Sequence, residues 1–220
     1  MTENCIYAIG NFPFNEDMIG TIGTVLEGCQ IKIADNDELL FKSGGLFDGY
    51  YKNEQATKDA FDEQGYFKTG DLARLEPNGA VKLIGRVKDN FKTAKGKFVQ
   101  PVPIEKRLAQ DPYIELLCVV GAGMAAPVAL VQLSEGAMAM PKAQVERSLN
   151  ETLSSVNSHL ESHEKVSAVV IVSQPWTPEN DILTPTLKIK RHVLHEKYAS
   201  RVEELKGNVV LWESDLTESA

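Results

Sequence analysis

The chain has 220 residues, of which 43% are hydrophobic, and a formal net charge of −8. This composition is ordinary for a globular protein of one large or two small domains, and no apolar run reaches the roughly 18 residues of a membrane helix. The acidic balance argues against nucleic acid as a partner, because phosphate backbones attract a surplus of Lys and Arg. The first residues lack a basic segment with a cleavage site, so we expect a soluble, cytoplasmic protein.

The cysteines and the lysines suggest nothing more specific on their own. Cys5, Cys29 and Cys118 are odd in number and lack CxxC spacing, which favours reduced thiols over a disulfide framework. One segment concentrates basic side chains, and it is open to two interpretations, a solvated strand edge or a local binding patch: Lys82, Arg86, Lys88, Lys92, Lys95 and Lys97.

Residues 1–85 have the pattern of a small antiparallel β subdomain. Short runs separated by Glu-Gly and Asp-Asn-Asp turn signals predict strands within residues 20–43, and a polar helix-like stretch follows at 54–61. Strands are predicted again at 71–75 and 80–85. The segment Glu76-Pro77-Asn78-Gly79 between them has proline and glycine where a tight turn requires them.

Beyond Gly85 the pattern changes to helices that alternate with strands, which predicts a second, α+β domain over residues 86–220. The predicted helices are 101–110, 141–163 and 190–206, and the predicted strands are 114–121, 127–134 and 166–173. The longest helix carries one apolar stripe at helical spacing, formed by Val145, Leu149, Leu153, Val156 and Leu160. The closing segment, WESDLTESA, is predicted to be a mobile acidic tail.

Several motifs, at their observed spacing, resemble the adenylate-forming superfamily of acyl-CoA synthetases, peptide-synthetase adenylation domains and luciferases. The residues that carry the resemblance are Gly49-Tyr50-Tyr51-Lys52-Asn53 with Thr57 and Phe61, GYFKTGD at 65–71, GRVKD at 85–89, and LTPTLKIKR at 183–191. The last motif is similar to the form found in long-chain fatty acid-CoA ligases, since Leu187 stands where many other members have glycine. The resemblance covers nearly the whole chain, but only the C-terminal part of a family member.

The resemblance implies an α+β fold in two parts. Residues 1–85 would form the β-rich, distorted barrel-like end of the large adenylation domain, and residues 86–220 would form a mobile lid domain. Lys88 would be the hinge about which the lid rotates between two half-reactions. The pair Ile104-Glu105, at the start of a helix, is similar to a family pair with an architectural role.

The resemblance also implies the nucleotide contacts. Asp71 would accept hydrogen bonds from the ribose hydroxyls and Arg86 would reach the same ribose. At the N-terminus, Thr2 would contact the nucleotide phosphate and Glu3 would help to bind magnesium. An ordinary structural role stays open for these side chains, such as turn capping by Asp71.

Two lysines are the implied catalytic residues. Lys188 would be the cation of the adenylation step, and Lys92 would serve the thioester-forming conformation. Taken alone, a Lys/Arg cluster at the start of a helix is more often simply solvent-exposed. His159 and His163, four apart on the predicted helix, are compatible with a metal pair, but the sequence offers no evident third ligand.

The implied activity is that of an ATP-dependent fatty acyl-CoA ligase, which uses ATP/AMP, Mg²⁺ and coenzyme A. No segment resembles the Ser/Thr/Gly-rich loop that binds the triphosphate in this family, so we expect that an N-terminal adenylation half is missing and that this piece is inactive alone. Two alternatives stay open: a natural stand-alone binding or regulatory fragment, and part of an enzyme that loads a carrier protein or a reductase. Peripheral membrane association of the parent and self-association also stay open.

Overall fold

The computed structural model describes residues 1–5, 8–203, 205, 207 and 209–216. It divides into two compact units, Met1–Lys88 and Asp89–Ala220, which are described separately. No helix in the described part of the chain has both the length and the apolar character needed to cross a membrane.

The first unit is built from antiparallel strands, as its alternating pattern predicts. Strands β1 (Ile9–Gly10) and β2 (Thr24–Val25) form a two-stranded ladder. A four-stranded antiparallel sheet contains, in this order, β3 (Gln30–Ile33), β4 (Glu38–Lys42), β5 (Phe67–Leu75) and β6 (Val81–Arg86). The described strands of this unit form an open sheet and a separate ladder, and they do not close into a barrel.

The motif Gly49–Asn53 with Thr57 forms the start of a short α-helix, α1 (Glu54–Asp59). The Asn53 side chain accepts a hydrogen bond from the Ala56 amide at 3.0 Å, which caps the helix N-terminus. Thr57 Oγ1 accepts from the Tyr50 amide at 2.9 Å. A side chain at Gly49 would lie 2.8 Å from Thr57, so this motif is a packed turn.

Phe67 connects the loop between β4 and β5 to the sheet. Its ring centroid lies 5.6 Å from Phe41, 5.7 Å from Phe47 and 5.6 Å from Phe61. These distances are typical of tilted or edge-to-face aromatic contacts. The cluster holds the loop against the strand that carries Asp71.

The second unit contains a mixed four-stranded sheet with helices on both faces. It begins with a hairpin of β7 (Phe91–Lys92) and β8 (Phe98–Val99), followed by α2 (Pro101–Leu108). The sheet strands are β9 (Ile114–Val120), β10 (Val128–Leu133), β11 (Ala168–Ile171) and β12 (Val209–Trp212), in the order β12-β11-β10-β9. The remaining helices are α3 (Glu135–Met138), α4 (Lys142–Asn157) and α5 (Arg191–Val202).

The core of this unit follows from the two-residue period of its strands. In β10, Ala129 and Val131 belong to the apolar cluster that includes α2 and α4, whereas Val128 and Leu130 belong to the cluster that includes α5. The strand is central in the sheet because β9 and β11 pair with its two edges, and it is buried on both faces because helices pack against each side.

Helix α4 ends at Asn157, six residues before the predicted end at 163. The buried Asn157 side chain donates to the Val166 carbonyl at 2.8 Å and accepts from the Val166 amide at 2.9 Å. This exchange ties the helix end to the segment that enters β11. His159 and His163 therefore do not share a helix face, and the described residues hold no group of three or more His, Cys, Asp or Glu suited to a metal ion.

The C-terminal segment differs from the prediction of a mobile tail. Strand β12, which the sequence pattern did not reveal, pairs in parallel with β11. Glu213 then accepts hydrogen bonds from the Ser173 amide at 2.7 Å and from Arg201 at 3.0 Å, and Leu216 is buried. The tail prediction is wrong for residues 212–216, and residues 217–220 lie outside the described part.

Candidate functional site

Asp71 and Arg86 face each other across β5 and β6. They are register partners in the sheet, and Arg86 Nε donates to Asp71 Oδ1 at 2.9 Å. The side chain of Arg86 is 56% exposed and that of Asp71 is 26% exposed. An ion pair this open to solvent contributes roughly 0–1 kcal/mol to the free energy of unfolding. The pair is therefore of interest for where it places the two side chains and not for the stability that it adds.

The residues before Asp71 set the direction of its side chain. Thr69 Oγ1 donates to the Leu39 carbonyl at 2.7 Å and accepts from the Asp71 amide at 3.0 Å. Gly70 has a φ of +72°, a backbone conformation that favours glycine, and its amide donates to Glu38 Oε1 at 2.9 Å. The Thr-Gly-Asp sequence therefore produces a distorted strand whose Asp71 lies beside Arg86.

A cavity of about 200 Å³ lies beside this strand, within the first unit. Asp71 and Thr69 supply polar atoms to its wall, and Leu39, Ile22 and Leu83 supply apolar surface. A largely apolar pocket with a few polar groups at one side is typical of a small-molecule site.

The N-terminal turn Thr2–Asn4 borders the same cavity through Asn4. Asn4 is buried and its side-chain oxygen accepts a hydrogen bond from the Ser43 hydroxyl, while the Glu3 carbonyl accepts from the Phe47 amide at 2.8 Å. Thr2 is exposed. The turn is thus held in place by buried contacts to the 43–47 loop.

Glu3 has a carboxylate that fits the magnesium role in its donor type. Tyr50 donates its hydroxyl to Glu3 Oε1 at 3.3 Å, and burial, reinforced by Glu3, raises the pKa of the Tyr50 phenol. Magnesium in phosphate-binding sites takes one or two carboxylates and completes its shell with water and phosphate oxygens. A single partly exposed carboxylate is therefore sufficient for this task.

In the second unit, Lys188 lies at the end of a tight hairpin. Leu183 and Ile189 form an isolated β-bridge, and Thr184 exchanges hydrogen bonds with Lys188, whose carbonyl accepts from the Thr184 amide at 2.8 Å. The Lys188 amide donates to Thr184 Oγ1 at 3.0 Å. The Lys188 side chain is exposed, and it forms no ion pair with the residues that the structure describes.

Leu187 occupies a conformation that glycine adopts more easily. Its φ is +60° and its side chain is exposed. A left-handed backbone costs a residue with a Cβ about 1–2 kcal/mol. The structure therefore predicts that glycine would suit this position better than leucine.

Substituting Leu187→Gly is expected to raise the free energy of unfolding by about 0.5–1 kcal/mol, because relief of the left-handed strain exceeds the added chain entropy. Leu187→Val is expected to lower it, since β-branching makes the same conformation worse. Urea unfolding of both variants measures the effect. A Gly variant less stable than the Val variant would contradict the prediction.

Lys92 lies on a second hairpin of the same unit. Its ammonium group lies 4.7 Å from the centroid of the Phe98 ring on the neighbouring strand. The connecting turn has Gly96 at a φ of +73°, and the Ala94 amide donates to the Met124 carbonyl at 2.8 Å. The Lys92 side chain is exposed, and its contact with the Phe98 ring restricts where the ammonium group can lie.

Lys88 is exposed and lies in the short 3₁₀ turn Val87–Asp89. It is the last residue of the first compact unit. Its role as a hinge stays a prediction.

Comparison with known proteins adds the decisive finding. Residues 88–208 match the family model described as the AMP-binding enzyme C-terminal domain. The chain belongs to this family. A long-chain-fatty-acid–CoA ligase of Mycobacterium tuberculosis is 33% identical over 87% of this chain and 35% of its own length. The peroxisomal long chain acyl-CoA synthetase 6 of Arabidopsis thaliana is 28% identical over 93% of this chain and 34% of its own length.

Solved structures agree with this assignment. The adenylation domain of a carboxylate reductase from Mycobacterium chelonae matches with a TM-score of 0.69 at 27% identity, covering 83% of this chain and 32% of that one. ATP-bound MatB from Rhodopseudomonas palustris matches with a TM-score of 0.70 at 25% identity, covering 90% of this chain and 39% of that one. The chain spans about a third of the length of the curated relatives described above.

For this AMP-binding family member, the structure brings together only some of the residues that the sequence singled out. Asp71 and Arg86 are in contact, and the Thr2–Asn4 turn reaches the cavity that Asp71 lines through Asn4. Lys188 and Lys92 lie on separate hairpins of the other unit. The functional roles of all these side chains stay predictions.

Sequence reasoning missed two supporting residues, Asn4 and Glu38. Asn4 directly follows the Thr2-Glu3 pair, so its position in the chain was a usable signal. Glu38 supports Gly70 from a neighbouring strand 32 residues away, and no local pattern announces that contact.

Proposed function

We propose that this chain forms the C-terminal portion of an ATP-dependent fatty acyl-CoA ligase. In the first half-reaction a fatty acid carboxylate attacks the α-phosphate of ATP and displaces pyrophosphate, which gives acyl-AMP. In the second, the thiol of coenzyme A attacks the acyl carbonyl and displaces AMP. The observation that carries the proposal is the Asp71–Arg86 contact in a member of the AMP-binding family whose curated relatives include long-chain ligases.

The first unit would hold the nucleotide. The Asp71 carboxylate has acceptor capacity beyond its contact with Arg86, and two ribose hydroxyls are suitable donors for it. The Arg86 guanidinium has further donors for the same sugar. Thr2 would contact the phosphates, and Glu3 would contribute one carboxylate to Mg²⁺, which neutralises phosphate charge when bound.

The second unit would supply one lysine to each half-reaction. Negative charge spreads over the α-phosphate during adenylation, and Lys188, exposed without an ion-pair partner in the described part of the chain, is suited to stabilise it. Lys92 would act in the thioester-forming arrangement. Rotation about Lys88 would exchange the two lysines at one active site.

A second candidate function differs in the acyl acceptor. The likeness to a carboxylate reductase adenylation domain supports an enzyme that passes its acyl group to a carrier protein or reductase. Assaying acyl transfer from preformed acyl-AMP to coenzyme A and to a phosphopantetheinyl carrier separates the candidates. Transfer to the carrier alone would favour the second. A stand-alone regulatory fragment would show neither transfer, even with an adenylation half supplied.

The isolated 220-residue chain is expected to show negligible fatty-acid-dependent ATP–pyrophosphate exchange. The triphosphate-binding loop and most of the acyl pocket would belong to an adenylation half, and this chain spans only about a third of its curated relatives. The measurement is exchange with the chain alone and with that half supplied. Exchange by the chain alone at the rate of a whole ligase would contradict the proposal.

Substituting Asp71→Asn in the parent ligase is expected to weaken ATP binding by about tenfold or more, because an amide offers fewer acceptor positions and no charge to two ribose hydroxyls. The free energy of unfolding should change by less than about 1 kcal/mol, since the pair with Arg86 is exposed. Titration with ATP and urea unfolding measure the two effects, with Glu76→Gln as a control at another partly exposed ion pair of the unit, in which Lys82 Nζ lies 3.8 Å from Glu76 Oε1. Normal ATP binding by Asp71→Asn would remove the ribose assignment.

A further inference from the structure

Arg191 is the centre of a hydrogen-bonded junction in the second unit. Its guanidinium group forms a two-pronged ion pair with Glu105 of α2, in which Nη2 donates to Oε2 at 3.1 Å. Nη1 also donates to the Val119 carbonyl of β9 at 2.6 Å, and Glu105 Oε1 accepts from the Val119 amide at 2.7 Å. A single pair of side chains therefore connects α2, the edge strand β9 and the start of α5.

The junction is largely shielded from solvent. The side chains of Arg191 and Glu105 are 19% and 17% exposed. Burial is the largest single effect and opposes the charge of Arg191, but the hydrogen bonds that Arg191 donates to Glu105 and the attraction of neighbouring acidic groups together outweigh it and leave the pKa of Arg191 raised. Burial also raises the pKa of the neighbouring Cys118 thiol to about 12, so Cys118 contributes no charge of its own at neutral pH.

The junction lies directly next to the hairpin that carries Lys188. Arg191 is three residues beyond Lys188 and is the first residue of α5. Between them, the Lys190 amide donates to the Ile182 carbonyl at 2.8 Å and the Lys190 side chain pairs with Asp181. Among the described residues, the hairpin tip has only short-range hydrogen bonds. Its base is held on one side by the buried Ile182 and Leu183 and on the other by the start of α5, so the orientation of the tip depends in part on how that helix start is fixed.

A second ion pair on α5 shows what a purely structural pair looks like in this unit. Arg201, near the other end of the helix, donates to Glu213 at 3.0 Å, and the two side chains are 27% and 13% exposed. Its burial and charge are similar to those of the Arg191 pair. At a rise of about 1.5 Å per residue it lies about 15 Å farther along the helix, so it provides a matched control.

We propose that the Glu105–Arg191 pair is a positioning device that sets Lys188 for the adenylation half-reaction. This inference rests on the proposed function. Neither side chain contacts the reacting atoms: Glu105 fixes Arg191, Arg191 fixes the first turn of α5, and that turn fixes the hairpin. Misplacement of a charged group by about 1 Å is enough to lower a rate by about 10²-fold.

The test uses Arg191→Lys and Glu105→Gln in the parent ligase, with Arg201→Lys and Glu213→Gln as controls. The Arg191 and Glu105 variants are expected to lower kcat for acyl-adenylate formation by about 10²-fold, with KM for ATP nearly unchanged. Their rate of thioester formation from preformed acyl-AMP should stay within about twofold of wild type. The controls should leave both half-reactions within about the same twofold range.

Two further measurements separate positioning from loss of folding. The double variant Glu105→Gln with Arg191→Met removes both charges and keeps an acceptor for the Val119 amide. It is expected to unfold at a denaturant concentration close to that of wild type, yet adenylate slowly. In the 220-residue chain itself, amide hydrogen exchange at Leu187 and Lys188 is expected to accelerate in this double variant and not in Arg201→Lys.

The outcomes distinguish this inference from the proposed function. If Lys188→Ala lowers adenylation but the Arg191 and Glu105 variants behave as wild type, the positioning role is wrong and the proposed function stands. Wild-type adenylation by the double variant would also overturn the positioning role. If Lys188→Ala itself leaves adenylation unchanged, both fail together.

Discussion

Replacing Lys188 by alanine in the parent ligase is expected to lower the rate of acyl-adenylate formation by about 10²–10³-fold, which is the usual effect of removing one group that stabilises developing charge. Thioester formation from preformed acyl-AMP should fall much less. The reason is the location of the side chain: Lys188 is exposed on a hairpin and has no ion-pair partner in the described residues, so its charge is available to a phosphate. Pyrophosphate release and thioester production are measured separately.

The matched variant is Lys92→Ala, on the other hairpin of the same unit. Loss of the Lys92 ammonium group is expected to lower the rate of thioester formation more than the rate of adenylation, which is the opposite of the effect expected for Lys188→Ala. Phe98→Leu serves as a control, because it removes the aromatic ring under Lys92 and keeps the charge. Equal losses in both half-reactions for both lysine variants would contradict the division of roles.

Replacing Glu105 by alanine is expected to lower the free energy of unfolding by about 3–5 kcal/mol, because it leaves the Arg191 charge buried without its partner. It also removes the acceptor of the Val119 amide. By contrast, Asp71→Ala removes one partner of an exposed pair and should cost less than about 1 kcal/mol. Urea unfolding of both variants measures the difference.

The comparison of these two variants separates a shielded ion pair from an exposed one. Both carboxylates bind an arginine, but one pair is shielded and joins three elements while the other is open to solvent. A loss of less than about 1 kcal/mol for Glu105→Ala would contradict the buried junction.

Local sequence patterns predicted those helices and strands whose apolar residues recur at the period of the element and pack against a core cluster. Four members of the predicted stripe, Val145, Leu149, Leu153 and Val156, are buried on α4, whereas Leu160 lies beyond the end of the helix and is half-buried against the same cluster. The alternating runs before Gly85 form antiparallel strands. The end of α4 could not be read from this period, because it depends on the Asn157–Val166 contact with a distant backbone segment. Strand β12 was missed because its place in the sheet depends on parallel pairing with β11, a distant segment of the chain, and this contact leaves no local pattern.

The candidate site shows a similar division. Asp71 and Arg86 could be singled out from the sequence because their motifs, at 65–71 and 85–89, resemble motifs of the adenylate-forming superfamily. The structure adds that they are register partners on adjacent strands. The role of Glu105 was expected to be architectural, but its partner, 86 residues later, could not be deduced without the fold. Long-range contacts of this kind leave no local signature.

The most direct test of the account is a crystal structure of the parent ligase bound to a nonhydrolysable acyl-AMP analogue. We expect the Asp71 carboxylate to accept hydrogen bonds from the ribose hydroxyls, Arg86 to contact the same sugar, and Lys188 Nζ to lie within hydrogen-bond distance of the group that replaces the phosphate. A ribose bound away from Asp71 and Arg86 would contradict this expectation.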